Sequence, residues 1–157
     1  MLKKPLALLA ALAFAAAFTV QAADDSIVDA TNPALIMNIA SGYGSATLDT
    51  DSVGDPMITG RLDGTKYGIY FYGCNDGKNC RSIQFSAGWA GTKVTLADLD
   101  EWNRTTRFGK AYLDKDGDPR LEMDVNLDGG VTRKNLDDVV DWWQVSLKGF
   151  KTRVLEQ

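Results

Sequence analysis

The chain of 157 residues is long enough for one domain, or for one domain preceded by a targeting segment. Its composition is 45% apolar and 24% charged, with a net charge of −4, two cysteines and no histidine. Without histidine, Ser-His-Asp and Cys-His catalysis, His-ligated metals and imidazole acid–base chemistry are excluded. The composition therefore favours a binding or structural module over an enzyme.

The N-terminal residues predict export. Lys3 and Lys4 precede an apolar run over residues 6–20, and the segment Val20-Gln21-Ala22 places small residues at the cleavage-type positions. This order is typical of a Sec signal peptide over residues 1–22 with cleavage after Ala22, and the run is short for a membrane span of about 20 residues. We expect a periplasmic or secreted chain with no stable membrane anchor. Loss of the two lysines changes the net charge to −6, which argues against nucleic-acid partners.

After the signal peptide we expect a flexible leader over residues 23–31 and then one domain over residues 32–157. Asn32 and Pro33 form an N-cap and first-turn pair that predicts a short first helix. A series of strand and turn signals follows. The candidate strands cover residues 46–49, 56–62, 67–73 and 81–89.

The two cysteines predict the register of one hairpin. Cys74 and Cys80 flank a short polar loop, and in an exported chain they most simply form a disulfide. Placing them opposite each other puts Phe71 opposite Ile83 and keeps the apolar residues of both strands on one face. Redox activity is the alternative, but the CxxC spacing of thioredoxin-like motifs is absent.

The second half of the mature domain predicts two more helices and a hairpin between them. Thr95 and Asp98 resemble a capping box at the start of the second helix, and Thr132 caps the last one. The last helix has apolar residues spaced three or four apart; Trp143 belongs to this series and Trp142 lies beside it. The predicted order is α-β-β-β-β-α-β-β-α, which is an α+β domain with an antiparallel sheet and three helices.

The hairpin of this second half is predicted to turn at residues 116–118. That centre pairs Asp114 with Arg120 and Lys110 with Asp124 across the strands. Both are pairs of opposite charge, which stabilise neighbouring strands.

Three aspartates at the same turn raise the alternative of a calcium-responsive module. Asp114, Asp116 and Asp118 resemble the start of an EF-hand loop. Such a loop needs Gly at its sixth position and Glu at its twelfth, where this chain has Pro119 and Val125. A hairpin turn is therefore favoured over weak calcium binding, and we predict no metal and no cofactor.

A carboxylate-based hydrolase is the enzymatic alternative, because paired carboxylates catalyse glycoside hydrolysis without histidine. The spacing of the acidic residues does not distinguish a catalytic pair from a solvated acidic surface. The candidates are Asp98, Asp100, Glu101, Glu122 and Asp124.

Aromatic and polar residues near the second helix suggest a groove for a peptide or an acidic ligand, since Trp, Tyr and Arg are frequent at binding hot spots. In the structural alternative Trp102 is core, Asn103 satisfies backbone groups and the arginines pair with local acids. In the pair Trp142-Trp143, one side chain faces the core and the other marks a partner surface. The candidate binding residues are Trp102, Asn103, Arg104, Arg107, Tyr112 and Trp142.

Several of these segments resemble the YbjN family. The resemblance rests on residues 74–85, 102–114, 118–119 and 129–132, and it covers roughly residues 32–153. The stretch from Trp102 to Asp114 is its most specific part. Family members are described as bacterial sensory transduction regulators, and their fold is similar to that of type III secretion chaperones. The resemblance therefore implies a noncatalytic binding or chaperone-like module, although a signal peptide would place this copy outside the cytoplasm.

Together these features predict an exported, non-enzymatic module, chaperone-like or regulatory, that binds a protein or peptide partner. The hydrolase and the calcium-responsive module are the alternatives. A homodimer also stays open as the assembly of the chain.

Overall fold

The computed structural model describes residues 26–156, and in them three helices pack on the apolar face of a six-stranded antiparallel sheet. The predicted α+β class and the order of the helices and long strands are confirmed. The helices are α1 (Pro33–Ala40), α2 (Leu96–Thr105) and α3 (Arg133–Phe150), and one turn of π-helix (Lys151–Leu155) follows α3. The strands are β1 (Ile27–Val28), β2 (Ser45–Thr50), β3 (Pro56–Leu62), β4 (Thr65–Tyr72), β5 (Ser82–Gly88), β6 (Lys110–Leu113), β7 (Pro119–Asn126) and β8 (Val131–Thr132).

Each helix begins at the cap that the sequence predicts. The side chain of Asn32 accepts a hydrogen bond from the N–H of Leu35 at 3.1 Å at the start of α1. Thr95 and Asp98 form the reciprocal bonds of a capping box on α2, and the Thr132 hydroxyl caps α3. These side chains satisfy backbone donors that have no partner inside a helix, which stabilises the helix starts.

The strands of the large sheet lie in the order β2-β3-β4-β5-β7-β6, so β2 and β6 are its edges. Alternate residues of the central strands face the helices, and Ile58, Ile69 and Phe85 are fully buried. Trp143 of α3 packs against Phe85 with ring centroids 5.5 Å apart. The core therefore lies between one face of the sheet and α3.

The β4–β5 hairpin has the predicted register. Phe71 lies opposite Ile83, and a disulfide joins Cys74 to Cys80 with an S–S distance of 2.13 Å. Cys80 is buried at 3% exposure beside the core. Both the pairing of the cysteines and the apolar face predicted from it are confirmed.

The predicted register of the β6–β7 hairpin is wrong by two residues. Lys110 lies opposite Glu122, whereas the sequence pattern pairs it with Asp124. The turn is centred on Asp116 and not on the glycine after it, because the carboxylate of Asp114 accepts backbone hydrogen bonds from Asp116 and Asp118 and fixes the loop over residues 114–118. Moving the centre by one residue shifts the register by two, so the buried face of each strand is preserved.

The same shift also removes the predicted pair of Asp114 with Arg120, because Arg120 lies opposite Tyr112.

The loop over residues 114–118 has a counterpart over residues 51–55 between β2 and β3. Both have the pattern D-x-x-G-D followed by proline. In each, the first aspartate carboxylate accepts hydrogen bonds from the third and fifth backbone N–H groups at 2.9–3.0 Å.

The domain begins earlier than predicted. Residues 23–31 are the predicted flexible leader, but Ile27–Val28 pairs antiparallel with Val131–Thr132 in a small second sheet. Val28 is 1% exposed and Ala30 is fully buried. The part of the leader from residue 27 onward is therefore integral to the fold, because its apolar side chains contribute to the core.

The predicted signal peptide over residues 1–22, its cleavage site after Ala22 and the first residues of the leader lie outside the described residues. Between residues 26 and 156, none of the helices combines the length and the apolar character that crossing a membrane requires.

Candidate functional site

Trp102 is a core side chain. It is 2% exposed, and its ring stands perpendicular to that of Phe150 with centroids 5.2 Å apart. Its indole Nε1 donates a hydrogen bond to the backbone oxygen of Gly109 at 3.0 Å. Trp102 therefore joins the end of α2 to the start of β6, and the guanidinium of Arg153 lies over the ring at 5.2 Å.

Asn103 binds the outer edge of strand β6. Its amide nitrogen donates to the backbone oxygen of Ala111, and its amide oxygen accepts from the N–H of the same residue, both at 2.9 Å. The side chain thereby takes the place of a neighbouring strand at this residue. This contact matches the structural alternative for Asn103.

The two arginines of the candidate set have different surroundings. Arg104 pairs with Asp100 and Glu101 on the exposed surface of α2. Exposed pairs of this kind contribute little to stability. Arg107 lies in the loop after α2, with its guanidinium 5.3 Å from the centre of the Phe108 ring. Only Arg107 therefore presents its charge close to an apolar surface.

Tyr112 lies on the sheet face away from the helices. Its hydroxyl donates to Glu122 at 2.8 Å, and Glu122 also pairs with Lys110 at 3.4 Å. Burial, followed by the hydrogen bond to Glu122, raises the pKa of Tyr112 above its ordinary value. Asp124, which lies on β7 like Glu122, accepts a hydrogen bond from Gln84 at 2.9 Å. Both carboxylates that the sequence offers here for a hydrolase thus have side-chain partners.

The other hydrolase candidates lie on α2. Asp98 belongs to the capping box, and hydrogen bonds from the Thr95 hydroxyl and N–H lower the pKa of its carboxyl below the ordinary value. Asp100 and Glu101 are the partners of Arg104. A glycosidase needs one carboxyl group with a raised pKa, so a lowered pKa at Asp98 is unsuited to that role.

The carboxylates of the proposed calcium loop each have a partner within the protein. Asp114 accepts the backbone bonds that close the loop, Asp118 accepts from the N–H of Gly91 at 2.8 Å, and Asp116 pairs with Lys115. Throughout residues 26–156 no three Cys, Asp or Glu side chains are grouped closely enough to hold a metal ion.

Three candidate residues meet at a groove between the α2–β6 loop and α3, which we call the α2–α3 groove. Its cavity volume is about 240 Å³. The candidates that line it are Trp102, Arg107 and Trp142. Trp142 is 40% exposed and packs on Phe108 with centroids 5.0 Å apart. The other three candidates, Asn103, Arg104 and Tyr112, do not line this groove.

Three further groove residues were not predicted from the sequence. Phe108 and Val145 add apolar surface, and Arg153 adds a second guanidinium. Val145 is 51% exposed and follows Trp142 by three residues, so both lie on the same side of α3. Two apolar residues three apart, outside the series of α3 that faces the core, are the sequence signal that indicates a second apolar surface on the helix.

The comparison with known proteins identifies a family. A family model matches residues 32–156, and its description is "Putative bacterial sensory transduction regulator". No curated protein has a matching sequence. Because this match covers most of the chain and includes every residue of the α2–α3 groove, the chain belongs to the YbjN family.

Proposed function

We propose that this chain is an exported regulatory module that binds a protein or peptide partner through the α2–α3 groove and catalyses no reaction. The description of the family as regulators supports a regulatory role. The observation that carries the binding role is the exposure of Trp142 and Val145 beside two arginines.

The apolar part of the groove is suited to one side chain of a partner. Trp142, Val145 and Phe108 form a contiguous surface. The two most exposed of the other apolar residues, Val53 and Leu96, stand apart from it in a loop and at the start of α2. Small-molecule sites usually enclose about 300–1,000 Å³. A groove of about 240 Å³ is below that range and accommodates a large apolar side chain of a peptide.

The charges around the groove favour an acidic partner. Arg107 and Arg153 line it, and none of its described lining residues is a carboxylate. The chain as a whole carries a net charge of −4, so this local positive surface stands out against an acidic molecule. An Asp or Glu next to an aromatic or aliphatic anchor would complement both parts of the groove.

The absence of catalysis is supported by the surroundings of the acidic side chains. The carboxylates offered for hydrolysis serve as a helix cap, as partners of Arg104 or as partners on the open sheet face. Of the aspartates offered for calcium, Asp114 holds the β6–β7 turn, Asp118 accepts from the N–H of Gly91 and Asp116 pairs with Lys115. Each group therefore has a structural role that requires no substrate or ion.

Export is tested by determining the N-terminal residue and the disulfide of the protein isolated from cells. We expect nonreducing mass spectrometry of the periplasmic protein to give a chain that begins at Ala23 and contains the Cys74–Cys80 bridge. A chain that keeps residues 1–22, or that stays in the cytoplasm with free thiols, would overturn this part of the proposal.

Binding is tested by selecting peptides from a random displayed library on the immobilised chain. We expect peptides in which Asp or Glu neighbours an aromatic or aliphatic residue. The substitutions Trp142→Ala and Arg107→Glu should each weaken the best peptide by about tenfold or more, because both groups contact the ligand. Leu96→Ala removes an exposed apolar side chain outside the groove and is the matched control.

The three variants must melt at similar temperatures for the comparison to hold. A basic consensus among the selected peptides would contradict the charge argument. Equal binding by the native chain, Trp142→Ala and Arg107→Glu would show that the groove is not the binding site.

A further inference from the structure

We propose that the outer edge of β2 is a self-association surface, at which two copies of the chain pair their β2 strands antiparallel. The inference is independent of the α2–α3 groove, which adjoins α2 and β6 at the opposite edge of the sheet. It would join two six-stranded sheets into one continuous sheet and leave both grooves accessible.

The hydrogen-bonding pattern shows which groups β2 presents outward. The N–H of Asp51 bonds the oxygen of Asp55 at 2.9 Å, and hydrogen-bonded pairs alternate along an antiparallel ladder. The backbone groups of Ala46, Leu48 and Thr50 therefore point away from β3. The N–H of Thr50 is already bonded to the carboxylate of the preceding residue at 2.8 Å.

Two residues on this edge keep both backbone groups open. Within the described chain, no hydrogen bond reaches the outward N–H or C=O of Ala46 or Leu48. An unpaired strand edge of this kind is a template for another strand. The open groups also determine which register a second strand can adopt.

The register that uses these four groups is symmetric. If Ala46 of one copy lies opposite Leu48 of the other, a two-fold axis passes beside Thr47. Four backbone hydrogen bonds form, and Thr47 faces its own counterpart in a non-hydrogen-bonded pair. Thr–Thr pairs across strands are favourable. A second copy of the same edge thus satisfies the open N–H and C=O groups of Ala46 and Leu48 without displacing the bond to the Thr50 N–H.

Side chains on both faces of β2 suit this pairing. Leu48 lies beside buried Ile58 on the core side and is 40% exposed, so the second strand covers apolar surface. On the other face, Asp49 lies opposite Ser45 of the second copy, and Ser45 has Arg61 as its neighbour on β3. The carboxylate of Asp49 thus approaches the guanidinium of Arg61 in the second copy across the small side chain of Ser45. No two like charges lie directly opposite each other.

The expected dimer is weak, because each copy contributes one short strand and one large apolar side chain. Specific interfaces usually bury about 1,200–2,000 Å². We therefore expect a monomer–dimer equilibrium that depends on protein concentration.

The first experiment is cross-linking of Thr47→Cys in the otherwise native chain. Opposed Cα atoms in a non-hydrogen-bonded pair are about 4.5 Å apart, which is within the range of a disulfide. Mild oxidation should yield a covalent dimer with Cys74–Cys80 intact by mass spectrometry. Val53→Cys is the matched control, because Val53 is 79% exposed in the adjacent loop but outside the paired edge. Equal cross-linking of both variants, or none of Thr47→Cys, would overturn the proposal.

The second experiment follows mass by sedimentation over a wide concentration range. Leu48→Pro removes the outward N–H while leaving the bonds to β3, since proline is tolerated on the open side of an edge strand. It should stay monomeric, whereas the native chain and Leu48→Val should dimerise. If Leu48→Pro fails to fold, the cross-linking result decides. A native chain that is monomeric at every concentration refutes the pairing.

Discussion

The two edge strands of the sheet are closed by the same type of loop but are covered differently. β2 and β6 each lead into a D-x-x-G-D loop followed by proline, with the same carboxylate-to-backbone hydrogen bonds. At β6, Asn103 of α2 binds the outward N–H and C=O of Ala111, and Trp102 binds the oxygen of Gly109 just before the strand. At β2, the outward groups of Ala46 and Leu48 have no partner among the described residues. The loop therefore closes the hairpin, and a separate element determines whether the backbone groups on its outer edge are free to bind another strand.

This difference assigns a structural role to residues of the stretch 102–114, which carries the most specific family resemblance. Trp102 and Asn103 reach from α2 to the backbone of Gly109 and Ala111. Their first role is to attach a helix to a strand edge, and a ligand need not contact them. In the function that we propose, binding instead falls to neighbouring residues that line the groove, such as Arg107.

The largest expected effect comes from removing the side chain that anchors α2. We expect Trp102→Ala to lower the free energy of unfolding by about 3–5 kcal/mol, because it leaves a large cavity beside Phe150. Urea unfolding measures the loss. Trp142→Ala is the matched control and should cost much less, since its ring is 40% exposed. Equal losses in the two variants would contradict the assignment of Trp102 to the core.

A smaller effect is expected when only the edge contact is removed. Asn103→Ala leaves the N–H and C=O of Ala111 without their partners, which should cost about 1–3 kcal/mol. Hydrogen exchange at the Ala111 amide should accelerate at the same time. Arg104→Ala is the neighbouring control, and its loss should stay below about 1 kcal/mol because the ion pairs it breaks are exposed. Unchanged exchange at Ala111 in Asn103→Ala would show that the edge is protected by something else.

The two loops can be compared through their glycines. Gly54 and Gly117 have φ of +93° and +79°, and a β-carbon added to either glycine would have no neighbouring atom within 4 Å. Space is therefore available, and the cost of alanine in this conformation, about 1–2 kcal/mol, comes from the backbone alone. Gly54→Ala and Gly117→Ala should lower the thermal unfolding temperature by similar amounts, and asparagine at either site should recover part of the loss. A large difference between the loops would mean that one edge hairpin does not unfold together with the rest of the domain.

The contrast between the hairpins also explains what could be predicted from the sequence. The β4–β5 register is predicted correctly because the pairing of Cys74 with Cys80 and the apolar alternation impose the same alignment. The β6–β7 register depends on the turn centre alone, and the sequence pattern places it on Gly117 although the carboxylate of Asp114 centres the loop one residue earlier. The loop over residues 51–55 shares this pattern and is centred on the equivalent third residue, Val53.

The candidate site could be predicted only in part. The apolar spacing of α3 correctly assigns Trp143 to the core and leaves Trp142 outside it. The contact of Trp142 with Phe108 depends on how the α2–β6 loop lies against α3, and residues far apart in sequence carry no periodic signal for such a contact. Arg153 is likewise brought to the groove by the turn that follows α3.

The smallest expected effect concerns the charge of Asp114. Hydrogen bonds from the Asp118 and Asp116 N–H groups hold the pKa of its carboxyl below the ordinary value in the folded chain. The carboxylate therefore stabilises the fold fully above the pKa of the unfolded chain, about 3.9, and this contribution is lost as the pH falls through the lower folded value. Asp114→Asn keeps an acceptor for the same bonds but does not titrate. We expect the unfolding temperature of the native chain to fall more steeply below about pH 4 than that of the variant. Parallel curves would show that the loop is held without the charge of Asp114 and would contradict this prediction.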